Sequence, residues 1–202
     1  MQLLKGTDIL LYGSSTTEII NNVLIGEPSV DGRKYTLGIP KGDAHIWTDR
    51  KIGFFGRNFR TIGFPEQGIE VNIPLSWHKK VHVEQLENTV SCTVYEKDSF
   101  AKHVYYDVFY HDNRGEKDSR LGAEIVDNVL ARIYSFSHDN SYIPKAGDII
   151  VTGASDFEFD TSSQQAVSES MAQFRRNNEF AVIRTVSRKI NGELPDIEIT
   201  GR

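Results

Sequence analysis

Three carboxylates at alternate positions, Asp156, Glu158 and Asp160, interleave with Phe157 and Phe159 and form the densest set of chemically capable side chains in this 202-residue chain. On an extended segment successive side chains point to opposite faces, so the acids line one side and the rings the other. Such a face offers acid–base chemistry or a cation site, or else a solvated acidic stripe with the phenylalanines packed behind it. The stripe is the simpler expectation. Asp43 and His45, in a Gly42–Trp47 loop, have the types needed to orient a base or hold a cation. Loops carry function, but two polar residues that hydrogen-bond their own backbone explain the pattern with less.

Other residues carry weaker chemistry. His78 and His82 stand four apart, a chelating interval on a helix; on the strand expected here four residues span about 13 Å, too far for one ion. Arg57 and Arg60 flank a hairpin turn among Phe54, Phe55 and Phe59, and Phe55, Arg57, Phe59 and Arg60 could together stack and bind single-stranded nucleic acid or another ligand. Core aromatics with exposed turn arginines is the simpler account. Cys92 is alone, which excludes an intrachain disulfide and a paired-cysteine zinc site, and a buried strand position suits it. Phosphate-loop, nucleophile-elbow and zinc-protease motifs are absent, and Gly53, Gly56 and Gly63 lie within strands instead of between a strand and a helix. The expectation is no catalytic residue, no cofactor and no metal.

The elements that must position these residues are mostly strands. Asp8–Tyr12, Val23–Ile25 and Tyr35–Ile39 are apolar runs separated by Gly, Ser and Pro. Lys51–Phe55 and Phe59–Phe64 form a hairpin across Gly56-Arg57-Asn58. Trp77–Leu86 alternates, with Trp77, Lys79, Val81 and Val83 on one face. Pro65, Gly68 and Pro74 break up the stretch between. Further on, Val90–Tyr95, Val104–Tyr110, Val126–Phe136 and Ile149–Val151 read as strands, with a turn at Asp112-Asn113-Arg114-Gly115. A final hairpin pairs Phe180–Ser187 with Asp196–Thr200 around Asn191-Gly192. One helix is expected, about 162–176, capped by Thr161 with Gln164 as reciprocal partner and stopped at Asn177-Asn178 in a left-handed conformation. Its stripe Val167, Met171 and Phe174 could dock on a neighbouring subunit or pack on its own domain.

Residues 1–88 hold ten basic and ten acidic side chains, whereas residues 89–202 hold 13 basic against 18 acidic and carry the whole net charge of −5. With the charge shift near 87–90, these features predict a mainly β protein of two small antiparallel β-barrel- or sandwich-like domains, 1–88 and 89–202, the second with the helical insertion. An acidic half argues against general nucleic-acid binding, which draws on phosphate neutralisation. No internal repeat is visible. No run of about 18 apolar residues and no signal segment at Met1–Lys5 is seen, so folding in the cytosol without a membrane is expected.

The order Tyr95-Glu96-Lys97-Asp98, His111-Asp112-Asn113-Arg114-Gly115, Ala131-Arg132-Ile133-Tyr134 and Tyr142-Ile143-Pro144-Lys145-Ala146-Gly147-Asp148-Ile149-Ile150-Val151-Thr152-Gly153 resembles head-closure (stopper-like) neck proteins of tailed phages. The likeness continues through Ala181–Val186 and Ile197–Gly201 and covers about residues 90–202. Its most specific piece is the P-K-x-G-D-x-I-V-x-G string. The first half, with Tyr35–Asp43 and Gly63–Ile69, resembles uncharacterised phage structural-module proteins. The resemblance implies a non-enzymatic virion protein of the head–tail interface: a β-barrel or sandwich subunit of a cyclic ring, contacting portal or adaptor and tail proteins. Asp156, Glu158 and Asp160 would line a conduit through which genomic DNA passes without specific binding.

Overall fold

The computed structural model describes residues 6–13, 16–67, 76–87, 89–119, 122–138, 141–190 and 192–202, with backbone alone for 113–119 and 122–128. The chain divides into two compact units, Met1–Glu87 with Ile190–Leu194, and Asn88–Lys189 with Pro195–Arg202. The first thus takes in the tip of the last hairpin, where the Asp49 carboxylate accepts the N–H groups of Glu193 and Leu194, each at 2.8 Å.

In the first unit the strands are β1 (Thr7–Tyr12), β2 (Thr17–Ile25), β3 (Lys34–Pro40), β4 (Lys51–Phe54), β5 (Arg57–Gln67) and β6 (Trp77–Gln85). They run antiparallel in the order β1-β2-β3-β6-β5-β4, and β4 pairs back on β1 to close a barrel. Period-two alternation puts Ile9 and Leu11, Leu37 and Ile39, and Val81 and Val83 inside, with Trp47 added from the β3–β4 loop. Along β6 the alternation Lys79, Val81, Val83 holds, but a register shift between Ile39 and Pro40 inserts His78 into the buried set ahead of Trp77. The β4–β5 turn has two residues, Phe55 and Gly56, both left-handed at φ 50° and 69°. Arg57 and Asn58, expected in the turn, already pair with Phe54 and Gly53. Two positive φ values in a row give the turn twist that matches the flanking strands, and this overrides the longer connector.

The second unit contains β7 (Thr89–Tyr95), β8 (Lys102–Ser119), β9 (Gly122–Ile133), β10 (Ile149–Thr152), β11 (Phe180–Ile190) and β12 (Pro195–Gly201), with helix α1 (Gln164–Asn177) between β10 and β11. Read from β7, its closed order is β7-β8-β9-β12-β11-β10. This is the same walk as in the first barrel, strand for strand. The repeat invisible in the sequence is therefore present in the topology, and it has one local echo: Ile39-Pro40-Lys41-Gly42-Asp43 leading out of β3, and Ile143-Pro144-Lys145-Ala146-Gly147-Asp148 before β10. In both strings the Lys-to-Asp part falls in the connection between a barrel's third and fourth strands. The protein is mainly β, two antiparallel barrels with one α-helix among the described residues. No helix there is long and apolar enough to cross a membrane.

Strands β7 and β10 are buried on both faces, which explains the unbroken apolar run Ile149-Ile150-Val151. Cys92, Val94 and Ile150 point into the barrel. Tyr95, Ile149 and Val151 point out and are covered by Phe174 of α1, with Phe157, Phe159, Met171 and Phe180 around it. The helix begins later than expected. Ser163, not Thr161, is the cap, its hydroxyl accepting from Ala166 N–H at 3.1 Å, and the stop at Asn178 is extended at φ −130° instead of left-handed. A serine one turn ahead of the first packed residue satisfies the same free donors, so position along the chain decided between two equivalent hydroxyls.

The turn expected at 112–115 is absent. Residues 102–119 form one strand that pairs with β9 without interruption from Phe109↔Arg132 to Ser119↔Gly122. Ladder bonds with β9 outweigh the local turn preference of Asp-Asn-Arg-Gly. Strand β7 reaches β8 only as far as Phe109, and β12 reaches β9 only as far as Val129. Past those points β8 and β9 continue as a two-stranded ribbon. The expected breaks at Gly68 and Pro74 and the turn residue Asn191 lie outside the described residues.

Candidate functional site

The ribbon is a feature that neither barrel needs for closure. Its register sets Arg114 opposite Asp127 and Lys117 opposite Glu124. Both strands share the i↔j register that starts inside the barrel, so the ribbon is a continuation of the sheet, not a separate hairpin.

Beside the same barrel, Asp156, Glu158 and Asp160 are exposed and Phe157 and Phe159 turn inward. The rings centre 5.0 and 5.1 Å from Phe174, and Tyr95 lies 5.2 Å from Phe159. The Tyr95 hydroxyl donates to the Phe157 carbonyl at 3.0 Å and shares a 2.8 Å hydrogen bond with the Ser155 hydroxyl, which pins the segment to β7. Glu158 pairs with Lys102. Asp160 accepts the Ser162 N–H at 2.9 Å, and the hydrogen bonds from Ser162 hold its carboxyl below the usual range. The three acids share a face, as their alternation predicts, and two of them have structural partners.

Of the expected docking stripe, Phe174 is wholly buried in its own domain and Val167 and Met171 are half-buried. Phe174 is thus removed from any subunit contact, because the outer faces of β7 and β10 need a cover and α1 supplies it. The hairpin set is corrected in the same way. Phe59 is 1% exposed and stacks on Phe54 with ring centroids 3.9 Å apart. Arg60 is buried and donates to Glu84 through Nε at 3.2 Å and Nη2 at 2.9 Å. The two-residue turn sets which face each residue takes, and it leaves only Phe55, 66% exposed, and Arg57, which donates to Gln85, on the outside.

The strongest polar cluster of the first barrel is built on the β3–β4 loop. The Asp43 carboxylate, only 5% exposed, accepts from His45 Nδ1 at 2.5 Å, Trp47 Nε1 at 2.7 Å and Lys79 Nζ at 3.2 Å. His45 Nε2 lies 3.1 Å from Glu18 on β2. Burial raises the Asp43 pKa, but the bonds from Trp47, His45 and Lys79 outweigh it and hold the carboxyl below the usual range. The bond to Asp43 raises His45, burial opposes this, and Glu18 adds to the rise. With a carboxylate on each ring nitrogen, the charged imidazolium is the form that satisfies both. A 200 Å³ cavity lined in part by Thr16, Glu18, His45 and Arg50 adjoins it. Asp43 and His45 were visible in the sequence; Glu18, 27 residues from His45, carried no signal, since only barrel closure brings β2 beside the loop.

The matching loop of the second barrel is organised by Asp148, 2% exposed. It accepts from Lys97 N–H at 3.0 Å, Lys145 N–H at 2.7 Å and the Tyr142 hydroxyl at 2.6 Å. Gly147 has φ +99°, and a Cβ there would lie 2.7 Å from the Lys97 side chain. The Pro-Lys-Ala-Gly-Asp string thus has an architectural reason. Cys92 is buried, which pushes its thiol up to about 12 and leaves it inert. His82 faces Thr36 and Glu66 while His78 is buried, and among the described residues no group of three potential ligands stands within reach of one metal ion.

Two tandem closed barrels of one topology, the second extended by a ribbon and a packed helix, define the class of protein. Residues 86–202 match a family of unknown function, DUF6751, and the chain belongs to that family. The match starts where the second barrel starts. No curated protein and no solved structure matches the chain.

Proposed function

We propose that the chain is a ring-forming structural subunit of a tailed-phage head–tail connector, joining the portal side to the tail around the DNA conduit. The observation that carries this reading is the β8–β9 ribbon. The barrel closes without it, and among the described residues no strand lies beside its edges, which leaves them for contacts between subunits. A bare two-stranded ribbon is marginal in water, a weakness that assembly removes. The resemblance over residues 90–202 supplies the neck as context. In this reading the protein works through shape and surface contacts at the head–tail interface of the virion, not through catalysis. Its partners are copies of itself, the adjacent portal or adaptor and tail proteins, and passing DNA. The exposed face of Asp156, Glu158 and Asp160 lines the conduit, where carboxylates repel the phosphates of a sliding genome.

Light scattering after size exclusion, with electron microscopy of the same fractions, tests the reading. Closed rings with an axial channel are expected, and a species that stops at one or two copies would overturn it. In such rings the triple change Asp156→Lys, Glu158→Lys and Asp160→Lys should make duplex DNA stick in a salt-sensitive manner. Unchanged DNA retention would remove these residues from the channel wall.

A further inference from the structure

Backbone bonding fixes where the ribbon's edges point. Val182 N–H donates to the Arg202 carbonyl at 2.8 Å and Arg202 N–H donates to the Val182 carbonyl at 3.1 Å. Along an antiparallel strand the N–H and C=O groups switch sides at every residue. Gly201, Ile199 and Ile197 therefore turn theirs toward β9, where their register partners are Val129, Ala131 and Ile133. Continued along β9, the alternation sends the backbone groups of Ala123, Ile125 and Asp127 away from β8. By the β8–β9 register it sends those of Asp118, Glu116 and Arg114 away from β9. Strands β7 and β12 stop short of both sets, so among the described residues neither edge has a strand beside it. The strand order of each barrel is otherwise closed on itself.

We infer that a second copy of this chain fills these edges, with β9 of one copy hydrogen-bonded antiparallel to β8 of the next. Three features select a copy of the chain over another partner. The outward residues of the two edges match in parity: the register that pairs β8 with β9 inside one copy, applied between copies, sets Arg114 against Asp127, Glu116 against Ile125 and Asp118 against Ala123. All three are outward-bonding pairs. The same register repeats the opposite-charge positions Arg114/Asp127 and Lys117/Glu124 across the contact and brings no like charges together, whereas a two-fold β8–β8 pairing centred on Glu116 would set Glu116 against its own copy while placing Arg114 opposite Asp118. Finally, one edge meeting a different edge is a head-to-tail contact, the kind that closes into rings. The inference rests on the ring-forming reading above and gives it a mechanism.

Proline tests it, because at an outward position proline deletes only the edge donor and leaves the ladder inside the ribbon intact. Glu116→Pro and Ile125→Pro should each reduce the assembly to single chains, while Glu116→Ala keeps it. Mixed in equal amounts, the two proline variants should give a discrete dimer and nothing larger, since one intact β8 edge and one intact β9 edge remain. In the wild-type assembly, amide exchange at Glu116, Asp118, Ala123 and Ile125 should be about tenfold or more slower than in the proline variants. Rings that survive both prolines, or wild-type rings with unprotected edge amides, overturn the pairing and leave the connector reading standing. Open chains of copies with protected edges uphold the pairing and sink the closed ring. A wild-type monomer at every concentration sinks both.

Discussion

The two barrels trace their six strands in the same order and differ in what is inserted at matched places. Between fourth and fifth strands the first barrel has two residues, Phe55 and Gly56; the second has residues 153–179, including the acidic stripe and α1. Between second and third strands the first barrel has a loop at 26–33, while the second runs both strands on into the ribbon. Either barrel closes its strand order without those insertions. The comparison teaches that closure is the shared scaffold and that what sets the second barrel apart is inserted surface. It also separates two uses of one loop. The buried aspartate after Ile-Pro-Lys holds side chains in the first barrel and mainly backbone N–H groups in the second.

The largest effect that would test this division comes from Phe174→Ala. If α1 is a cover for β7 and β10, the loss of a fully buried ring touching Tyr95, Phe157, Phe159 and Phe180 should lower unfolding free energy by about 3–5 kcal/mol. A loss under about 1 kcal/mol in chemical denaturation would mean the helix is held by something other than its own domain.

Next come the matched aspartates. Asp148→Ala strands two backbone donors, which the turn holds in place, and a tyrosine hydroxyl, and should cost about 3 kcal/mol; Asp43→Ala, two of whose donors are the movable side chains of His45 and Lys79, should cost about 2 kcal/mol. Denaturant midpoints of the two variants decide it. A reversed order would mean that the first loop is the more constrained, and the proposed division of labour between them would fail.

Smaller again is the pH response of the first loop. His45 is raised above the ordinary histidine value, so its contribution is full below about pH 6.5 and is lost as pH rises through the raised value. Asp43 is lowered and contributes until pH falls through its depressed value. Glu18, Asp43 and, through Asp43, Lys79 are the charged groups of this network. Because His45 is about a third exposed, the swing should stay within about 1 kcal/mol. His45→Gln should flatten it, and a stability profile from pH 5.5 to 9 that is the same for both proteins would exclude this contribution. Around the second loop Asp148 is held by two N–H groups and the Tyr142 hydroxyl, whose own pKa burial raises, and the His103 ring stacked on Tyr142 pairs with Glu96, whose carboxyl the bonds from Ser99 and His103 hold below the usual range.

Much of this frame was legible in the sequence, for physical reasons that also mark where legibility stops. Period-two runs such as Leu37–Ile39 and Val81–Val83 locate strands because one face must be buried. The Phe157/Phe159 alternation gave the acidic face for the same reason. Parity is lost at turns. With the β4–β5 turn one residue longer, Phe59 read as an available ring, whereas the Phe55–Gly56 turn sends it to the core. Asp112–Gly115 looked like a turn because local propensity cannot weigh a ladder formed with residues near 127. Glu18 and His45 meet only through barrel closure. The topological repeat survives in sequence only as Ile-Pro-Lys-(Ala)-Gly-Asp, too short to be read as one.

The smallest expected effect lies at the tight turn that makes the first barrel the plainer of the two. Phe55 sits at φ 50°, a region that costs an ordinary residue about 1–2 kcal/mol, and its ring returns only an edge contact to Phe54 at 5.4 Å while staying mostly exposed. Asparagine tolerates this conformation, so Phe55→Asn should stabilise the chain by about 0.5–1 kcal/mol if the turn serves the barrel alone. A phenylalanine kept in a strained position against that gain points to an outside contact for its ring. The two measurements pull apart cleanly: a more stable Phe55→Asn variant that assembles normally makes the turn a mere connector, and one that is more stable but fails to assemble gives the first barrel an inserted contact of its own.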